Sequence, residues 1–329
     1  MVPDTFHVAV VGEKGSAALN CIPSVENVKF HIVSELDDFS KLPVDVQSVV
    51  VVQPFDIKTL INGWSKAPFQ ENVKFLHSFF AGVDQLEPFI TKSLAEKENI
   101  LLTNGRGAFS ASLAEYIMTS CLFFNKKIST LQANKKDRNW DKFTMPVLRN
   151  KTIGFVGFGD IAKTTAKIAK ESFSMKIAAY RKNPEKTDVL IDKLYLDSNE
   201  LFQNSDFVVC TLPGTSETRN FCSAQFSKMK PGSVFISCGR GSAVDENALY
   251  IALQVEQQIF AALDVFEKEP LPRSSPLWSV DEDRLLLSSH NADYTDDYYQ
   301  LGWQVFIDNM QQVMQGKTPL TLVDKTKLY

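Results

Sequence analysis

Three side chains of the 329-residue sequence have the types needed for acid–base chemistry on an anionic substrate: Arg240, Glu269 and His290. Histidine can donate a proton near neutral pH, and a carboxylate beside it would orient the ring and favour its protonated form. Arginine can hold a carboxylate through two parallel hydrogen bonds, a geometry that lysine cannot match. The trio therefore predicts proton donation to the carbonyl oxygen of a 2-keto acid as a hydride arrives.

A glycine-rich stretch near the middle of the chain predicts the source of that hydride. Residues 151–170 read KTIGFVGFGDIAKTTAKIAK, which is a short apolar strand, two glycines and an amphipathic helix. The first glycine permits a tight turn, the second lets the backbone approach a pyrophosphate, and Ala162 allows close helix–strand packing. This pattern predicts dinucleotide binding by residues 157–161, namely Gly157, Phe158, Gly159, Asp160 and Ile161. An ordinary strand-to-helix turn remains the alternative.

Further strands are predicted at 175–180, 207–212, 233–238, 259–265 and 285–289, which makes six with residues 152–156. Ligands of an open parallel sheet bind beyond the carboxyl ends of its strands. The other candidate site residues lie at or just beyond such strand ends. They are Arg181 and Lys182, Leu212, Pro213 and Thr218, Cys238, Gly239 and Arg240, Asp264 and Glu269, and His290.

The N-terminal part predicts a second, smaller parallel α/β unit, with strands at 6–11, 46–52, 73–80 and 100–103. After its third strand, the turn Ala81-Gly82-Val83 can present N–H groups to a small anion, although a plain turn is equally expected. A long helix up to residue 125 marks the first crossing between domains, and a helix at 298–315 returns to the first domain. We expect a substrate domain at 1–104 with 296–329 and a dinucleotide-binding domain at 105–295.

Composition excludes several function classes. A hydrophobic content of 44%, a charged content of 22% and a net charge of −4 are typical of a soluble globular protein and give no sign of nucleic-acid binding. The five cysteines are scattered and lack CxxC spacing, which indicates reduced thiols, a cytoplasmic location and no metal site. We expect neither a secretory signal at the N-terminus nor a membrane span.

The chain resembles the D-isomer-specific 2-hydroxyacid dehydrogenases. The resemblance lies in AGVD at 81–84, AEY at 114–116, GFGDIA at 157–162, LPGTSETRN at 212–220, GRGSAVDENAL at 239–249, LDVFEKEPLP at 263–272 and HNADYT at 290–295. It implies that Arg240, Glu269 and His290 form the catalytic triad. It further implies that Asp264 meets the nicotinamide carboxamide and that residues 81–83 contact the substrate carboxylate.

The resemblance also implies an overall architecture. Two doubly wound, Rossmann-like domains of the α/β class would enclose the active site in a cleft, and the chain would form a homodimer through the cofactor domain. Three positions depart from the family pattern: Ser289 replaces a common proline, Asp293 a small residue and Ser237 a common asparagine. Since all three are expected near the pocket, substrate specificity does not transfer from the family.

Two functional hypotheses follow. The first is a 2-keto acid reductase for glyoxylate or hydroxypyruvate that prefers NADPH and can use NADH. Its cofactor preference follows from Arg181 and Lys182, which stand where an acidic residue would bind a ribose 2′-hydroxyl, although a solvated basic turn remains possible. The second is a dinucleotide-sensing, corepressor-like binding protein, because one fold can carry either function.

Overall fold

A computed structural model of the chain describes residues 5–183, 185, 188–254 and 259–329. The chain folds into two compact units, one of Met1–Phe109 with Asp296–Tyr329 and the other of Ser110–Thr295. We refer to them as unit 1 and unit 2. Among the described residues, no helix combines the length and the apolar character needed to cross a bilayer.

The strands, in chain order, are β1 Phe6–Val11, β2 Val28–Val33, β3 Val46–Val51, β4 Phe75–Ser78, β5 Leu101–Asn104, β6 Thr152–Val156, β7 Lys176–Tyr180, β8 Lys193–Tyr195, β9 Phe207–Cys210, β10 Val234–Ser237, β11 Phe260–Leu263 and β12 Leu285–Leu287. The α-helices are α1 Ala17–Asn20, α2 Ile57–Lys66, α3 Glu87–Phe89, α4 Ser110–Asn125, α5 Ile128–Lys136, α6 Asp160–Phe173, α7 Ser198–Asn204, α8 Glu246–Gln254 and α9 Tyr298–Met314. Short 3₁₀ and π turns join several of them.

Unit 1 contains a parallel sheet of order β2-β1-β3-β4-β5, which is a doubly wound order with helices on both faces. Its central strand β3 is buried along its whole length, as its sequence VQSVVV suggests. The C-terminal helix α9 covers one face through Trp303, Phe306 and Met310. The indole N–H of Trp303 also donates to the carbonyl of Ala18 at 3.0 Å. The C-terminal helix is therefore part of the core of unit 1.

Unit 2 contains a parallel sheet of order β12-β11-β10-β9-β6-β7-β8. If β6 is taken as the first strand, this is the strand order of a dinucleotide-binding sheet with one further strand, β12, at its edge. The direction in which successive strands are added reverses between β9 and β6. Both units are therefore α/β with parallel sheets, which confirms the predicted fold class.

The sequence prediction missed two edge strands, β2 and β8, so the prediction of six strands in the second sheet is wrong by one. In strand β2 only Val33 is buried, and the strand includes Lys29 and His31, so it lacks the continuous apolar run of a central strand. Strand β8 has only three residues and starts with an exposed lysine. Both are held by pairing with β1 and β7, a tertiary contact that no local pattern encodes.

Several strands end earlier than predicted, and this difference positions the site. The strands end at Cys210, Ser237, Leu263 and Leu287, one or two residues before the predicted ends. After each of these ends, one more backbone N–H donates across the sheet, and the residues beyond it form the turns at the carboxyl edge. The side chains predicted to do chemistry lie on these turns and not within strands.

His77 on β4 gives unit 1 a testable dependence on pH. Its ring is fully buried, its Nδ1 lies 2.8 Å from Thr103 Oγ1, and its Nε2 has no hydrogen-bond partner among the described residues. Burial lowers the pKa of His77 to about 3. Between that value and the unfolded value near 6.5, the unfolded chain binds a proton that the folded chain does not, so stability falls as the pH drops.

We expect the titration of His77 to lower the free energy of unfolding by about 2 kcal/mol when the pH falls from 7 to 5. His77→Leu lacks the titrating ring. Its free energy of unfolding, measured in urea, should therefore fall by about 2 kcal/mol less than that of the native chain over the same pH range. His290→Leu, which removes a histidine whose side chain is 37% exposed, is the control. Equal pH slopes for the native chain and His77→Leu would contradict the assignment.

Candidate active site

The turn after β6 has the geometry of a phosphate-binding loop. Gly157 has a φ of +85°, in the left-handed region that favours glycine, and Gly159 is the N-cap residue of α6. A Cβ atom at Gly159 would meet no heavy atom within 4 Å, and no side chain of the described residues caps the helix there. Ala162 is fully buried, so α6 packs closely on the sheet. An open space over a helix N-terminus fits a pyrophosphate.

The remaining predicted residues of this turn differ in what they can offer a ligand. Phe158 is 5% exposed and packs edge to face with Phe155, so only its backbone can contact a cofactor. Asp160 is exposed as the first residue of α6, and Ile161 is half-buried. The turn therefore acts through its main chain.

The basic pair after β7 has an acidic neighbour that the sequence prediction missed. Lys182 Nζ lies 2.5 Å from Glu217 Oε2, and the two side chains are 73% and 62% exposed. Glu217 belongs to the loop after β9, and β9 and β7 flank β6 on opposite sides. An ion pair this exposed adds little stability, but it places a carboxylate beside Lys182.

The loops after β9 and β10 meet backbone to backbone. A Cβ atom at Gly239 would lie 2.6 Å from the carbonyl oxygen of Leu212, so only glycine permits this approach. The hydroxyl of Thr218 donates to the carbonyl of Pro213 at 2.5 Å and closes the loop after β9. Cys238 is buried, and burial raises the pKa of its thiol, which therefore stays neutral.

Arg240 follows directly and is half-buried, and its Nη1 donates to the carbonyl of Gly239 at 3.3 Å. A Cβ atom at the next residue, Gly241, would collide with the backbone of Phe266. The segment that carries Arg240 therefore packs against the segment that leads to Glu269. This contact lies at the carboxyl ends of the neighbouring strands β10 and β11.

His290 and Glu269 form a direct pair. His290 Nδ1 lies 2.7 Å from Glu269 Oε2, and the side chains are 37% and 35% exposed. The other carboxylate oxygen of Glu269 accepts the N–H of Phe266 at 2.9 Å, so the carboxylate is held in place. A carboxylate only accepts hydrogen bonds, which assigns a proton to Nδ1 and leaves Nε2 as the ring atom that can serve a substrate.

Asp264 organises the loop that carries His290. It is 1% exposed, and its Oδ1 accepts the hydroxyl of Ser288 at 2.7 Å, the N–H of Asn291 at 3.1 Å and the N–H of Ala292 at 3.2 Å. Its own carbonyl accepts the N–H of His290 at 2.8 Å. The charge of this buried carboxylate is therefore balanced by donors on either side of His290.

Asp293 adds a second carboxyl group to the same loop. Burial raises the pKa of this half-buried carboxyl, the negative charge of Asp264 adds to the rise, and the positive charges of His290 and Arg240 oppose it. The charges of Asp264, His290 and Arg240 therefore lie close enough to Asp293 to change its pKa.

The predicted substrate turn lies in unit 1, just beyond β4. Ala81 is exposed, Gly82 is half-buried and the side chain of Val83 is in the core. The side-chain amide of Asn104 donates to the carbonyl of Ala81 at 2.5 Å and holds the turn against β5. Ala81 and Gly82 therefore present main-chain groups at the carboxyl edge of this sheet.

Two further residues near His290 were not predicted. Tyr116 on α4 has its hydroxyl 3.1 Å from Ser288 Oγ, and Ser288 in turn binds Asp264. Tyr116 ends the AEY motif, but nothing in that motif indicates its partner, which lies 172 residues away in the sequence.

Comparisons with known proteins identify the family of the chain. The NAD binding domain model of the D-isomer specific 2-hydroxyacid dehydrogenases matches residues 118–292, which lie within unit 2. A protein of Dictyostelium discoideum named probable 2-ketogluconate reductase is 31% identical over 78% of this chain and 76% of its own length. Glyoxylate/hydroxypyruvate reductase B of Citrobacter koseri is 35% identical over 69% of this chain and 71% of its own length.

A solved structure of an NADPH-dependent glyoxylate/hydroxypyruvate reductase from Sinorhizobium meliloti has a TM-score of 0.77. It is 23% identical, and the alignment covers 99% of this chain and all of that one; at this identity the likeness shows the fold. The family model spans more than half of the sequence, and a relative above 30% identity covers more than two thirds of it. The chain therefore belongs to the D-isomer specific 2-hydroxyacid dehydrogenase family of oxidoreductases.

Proposed function

We propose that this protein reduces a small 2-keto acid of the glyoxylate or hydroxypyruvate class to the D-2-hydroxy acid, with a hydride from NAD(P)H and preferably NADPH. The observation that carries the proposal is the His290–Glu269 pair at 2.7 Å, on the same sheet edge as Arg240 and the glycine turn. Relatives named glyoxylate/hydroxypyruvate reductase support the substrate class.

In this proposal each residue has one task. When bound, the reduced nicotinamide supplies the hydride to the carbonyl carbon. His290 Nε2 donates a proton to the carbonyl oxygen, so the C=O bond becomes an alcohol. Glu269 holds the ring through Nδ1, and Arg240 binds the substrate carboxylate. Asp264 meets the nicotinamide carboxamide.

We assign cofactor binding to unit 2, and we propose that the turn at residues 81–83 of unit 1 contacts the substrate carboxylate. The match of the NAD binding domain model to residues 118–292 supports the first assignment. The cofactor contacts would come from the glycine turn, Arg181 and Lys182, and the loops after β9 and β10. The main chain of residues 81–83 supports the second assignment.

A panel of small 2-keto acids with NADPH and NADH, followed by loss of cofactor absorbance, tests the function. We expect the highest kcat/KM with glyoxylate or hydroxypyruvate and NADPH. Tight cofactor binding with no turnover on any acid would instead favour the corepressor-like alternative.

The cofactor preference rests on Arg181, and the related structure from Sinorhizobium meliloti holds NADP. A guanidinium suits a 2′-phosphate, and each charge-assisted hydrogen bond contributes about 1.5–3 kcal/mol. We expect Arg181→Asp to lower kcat/KM for NADPH by about 10–100-fold and to spare NADH. Lys182→Ala is the matched control and should cost less, because Lys182 already pairs with Glu217. Equal kcat/KM for both cofactors in the native protein would contradict the preference.

Asp293 should select against substrates with a second carboxylate. Its negative charge near Arg240 would repel a dicarboxylic 2-keto acid such as oxaloacetate by about 1–2 kcal/mol. We expect Asp293→Asn, which keeps the shape, to raise kcat/KM for oxaloacetate relative to glyoxylate by about 5–30-fold. Because the pKa of Asp293 is raised, the native discrimination should weaken as the pH falls. An unchanged ratio in Asp293→Asn would show that this carboxyl does not face the substrate.

We also propose a homodimer. Exposed apolar side chains on one segment of unit 2 support it: Trp140 is 99% exposed, Val147 52% and Met145 38%. Light scattering of the purified chain would test this, and a monomeric mass at micromolar concentration would contradict it.

A further inference from the structure

His290 has an unusual backbone conformation. Its φ is +52°, in the left-handed region that residues with a Cβ atom rarely adopt. Such a conformation persists only where surrounding interactions maintain it, and it is often found at functional sites. Something in the fold must therefore hold this residue in place.

Asp264 holds the backbone at His290 directly through hydrogen bonds. The N–H groups of Asn291 and Ala292, immediately after the strained residue, both donate to its Oδ1, at 3.1 and 3.2 Å. The N–H of His290 itself donates to the carbonyl of the same aspartate at 2.8 Å. The backbone on either side of the His290 Cα is thus tied to a single buried residue.

The orientation of that carboxylate depends on Ser288. The Ser288 hydroxyl has one proton, and its shortest contact is with Asp264 Oδ1 at 2.7 Å. A carboxylate cannot donate, so the Ser288 hydroxyl donates to Asp264. The hydroxyl oxygen of Tyr116 also contacts Ser288 Oγ, at 3.1 Å. Burial raises the pKa of Tyr116, so the phenol stays neutral.

A chain of polar contacts therefore runs from α4 to the loop that carries His290. The Tyr116 hydroxyl contacts Ser288, Ser288 donates to Asp264, and Asp264 accepts from the backbone of residues 290–292. Every member lies in unit 2. A side chain on α4 is thereby connected to the backbone of His290.

We propose that Ser288 and Tyr116 are positioning residues for proton transfer: they orient the Asp264 carboxylate, which holds His290 in its left-handed conformation with Nε2 toward the substrate. The inference rests on the proposed function for its kinetic readout. Neither residue touches substrate in this proposal, so their effect should appear in kcat and not in binding.

The kinetic test compares Ser288→Ala, Ser288→Thr and Tyr116→Phe with the native chain, using NADPH and glyoxylate. We expect Ser288→Ala to lower kcat by about tenfold with KM changed less than about twofold, and Tyr116→Phe to lower kcat by about threefold. Ser288→Thr restores the hydroxyl and should recover most of the rate. Because the two residues act in one chain, Tyr116→Phe should cost little in the Ser288→Ala background.

A second readout does not depend on turnover. The chain has four histidines, so the imidazole nitrogen signals of ¹⁵N-histidine-labelled protein can be assigned with a His290→Gln reference. We expect the His290 signals to shift or broaden in Ser288→Ala and to be native-like in Ser288→Thr, while those of His77 in unit 1 stay unchanged in both.

The two readouts separate the possible failures. A native chain without reductase activity would overturn the proposed function, while the histidine signals would still test the positioning chain. Unchanged kcat and unchanged His290 signals in Ser288→Ala would overturn the positioning role. A loss of rate that Ser288→Thr does not rescue, or one in which all four histidines shift, would indicate a general structural defect and would also overturn it.

Discussion

Replacing His290 with alanine is expected to lower kcat/KM for keto acid reduction by about 10²–10⁴-fold, because general acid catalysis contributes an effect of that size. The structure leaves Nε2 as the ring atom that can serve a substrate, since Nδ1 is 2.7 Å from Glu269. Reduction requires a protonated ring, so the native reductive rate should fall as the pH rises, while oxidation of the hydroxy acid should improve. Steady-state rates in both directions between pH 5 and pH 9 would measure this.

Glu269→Gln is the matched control for the pair. It keeps the shape and a hydrogen-bond acceptor but removes the charge that balances the protonated ring. We expect a smaller loss than in His290→Ala, about 10–100-fold, because the acid itself remains. Equilibrium binding of NADPH should be unchanged in both variants. A His290→Ala variant with more than about a tenth of native activity would exclude His290 as the proton donor.

Arg240→Ala is expected to abolish most turnover while it preserves cofactor affinity. Two charge-assisted hydrogen bonds to the substrate carboxylate, each contributing about 1.5–3 kcal/mol, correspond to a loss of about 10²–10⁴-fold in kcat/KM. The side chain is half-buried, and its segment packs on the backbone of Phe266, which leads to Glu269. NADPH binding by fluorescence and steady-state rates would be measured side by side.

Arg240→Lys distinguishes charge from geometry. It keeps the positive charge and loses the planar fork, so it should recover only part of the rate. A full recovery would mean that Arg240 acts as a simple point charge. An unchanged kcat/KM in Arg240→Ala would remove the residue from the mechanism.

The central strands and the glycine turn were predictable because their signals are local. The run VQSVVV at β3 has four valines in six residues, and GFGDIA places its glycines at fixed offsets from a strand and a helix. The edge strands β2 and β8 were not predictable. Their residues are partly exposed, and only pairing with β1 and β7 makes them strands.

The sequence by itself determined which side chains follow the carboxyl ends of the strands, because parallel pairing brings all of those ends to one edge whatever the details of packing. Arg240, Glu269 and His290 could therefore be named from the sequence. Only the tertiary structure decided which side chains surround them. Tyr116 contacts Ser288 across 172 residues of sequence, and Glu217 pairs with Lys182 across 35. Hydrogen bonds between such segments depend on distances of a few tenths of an ångström that no sequence spacing encodes.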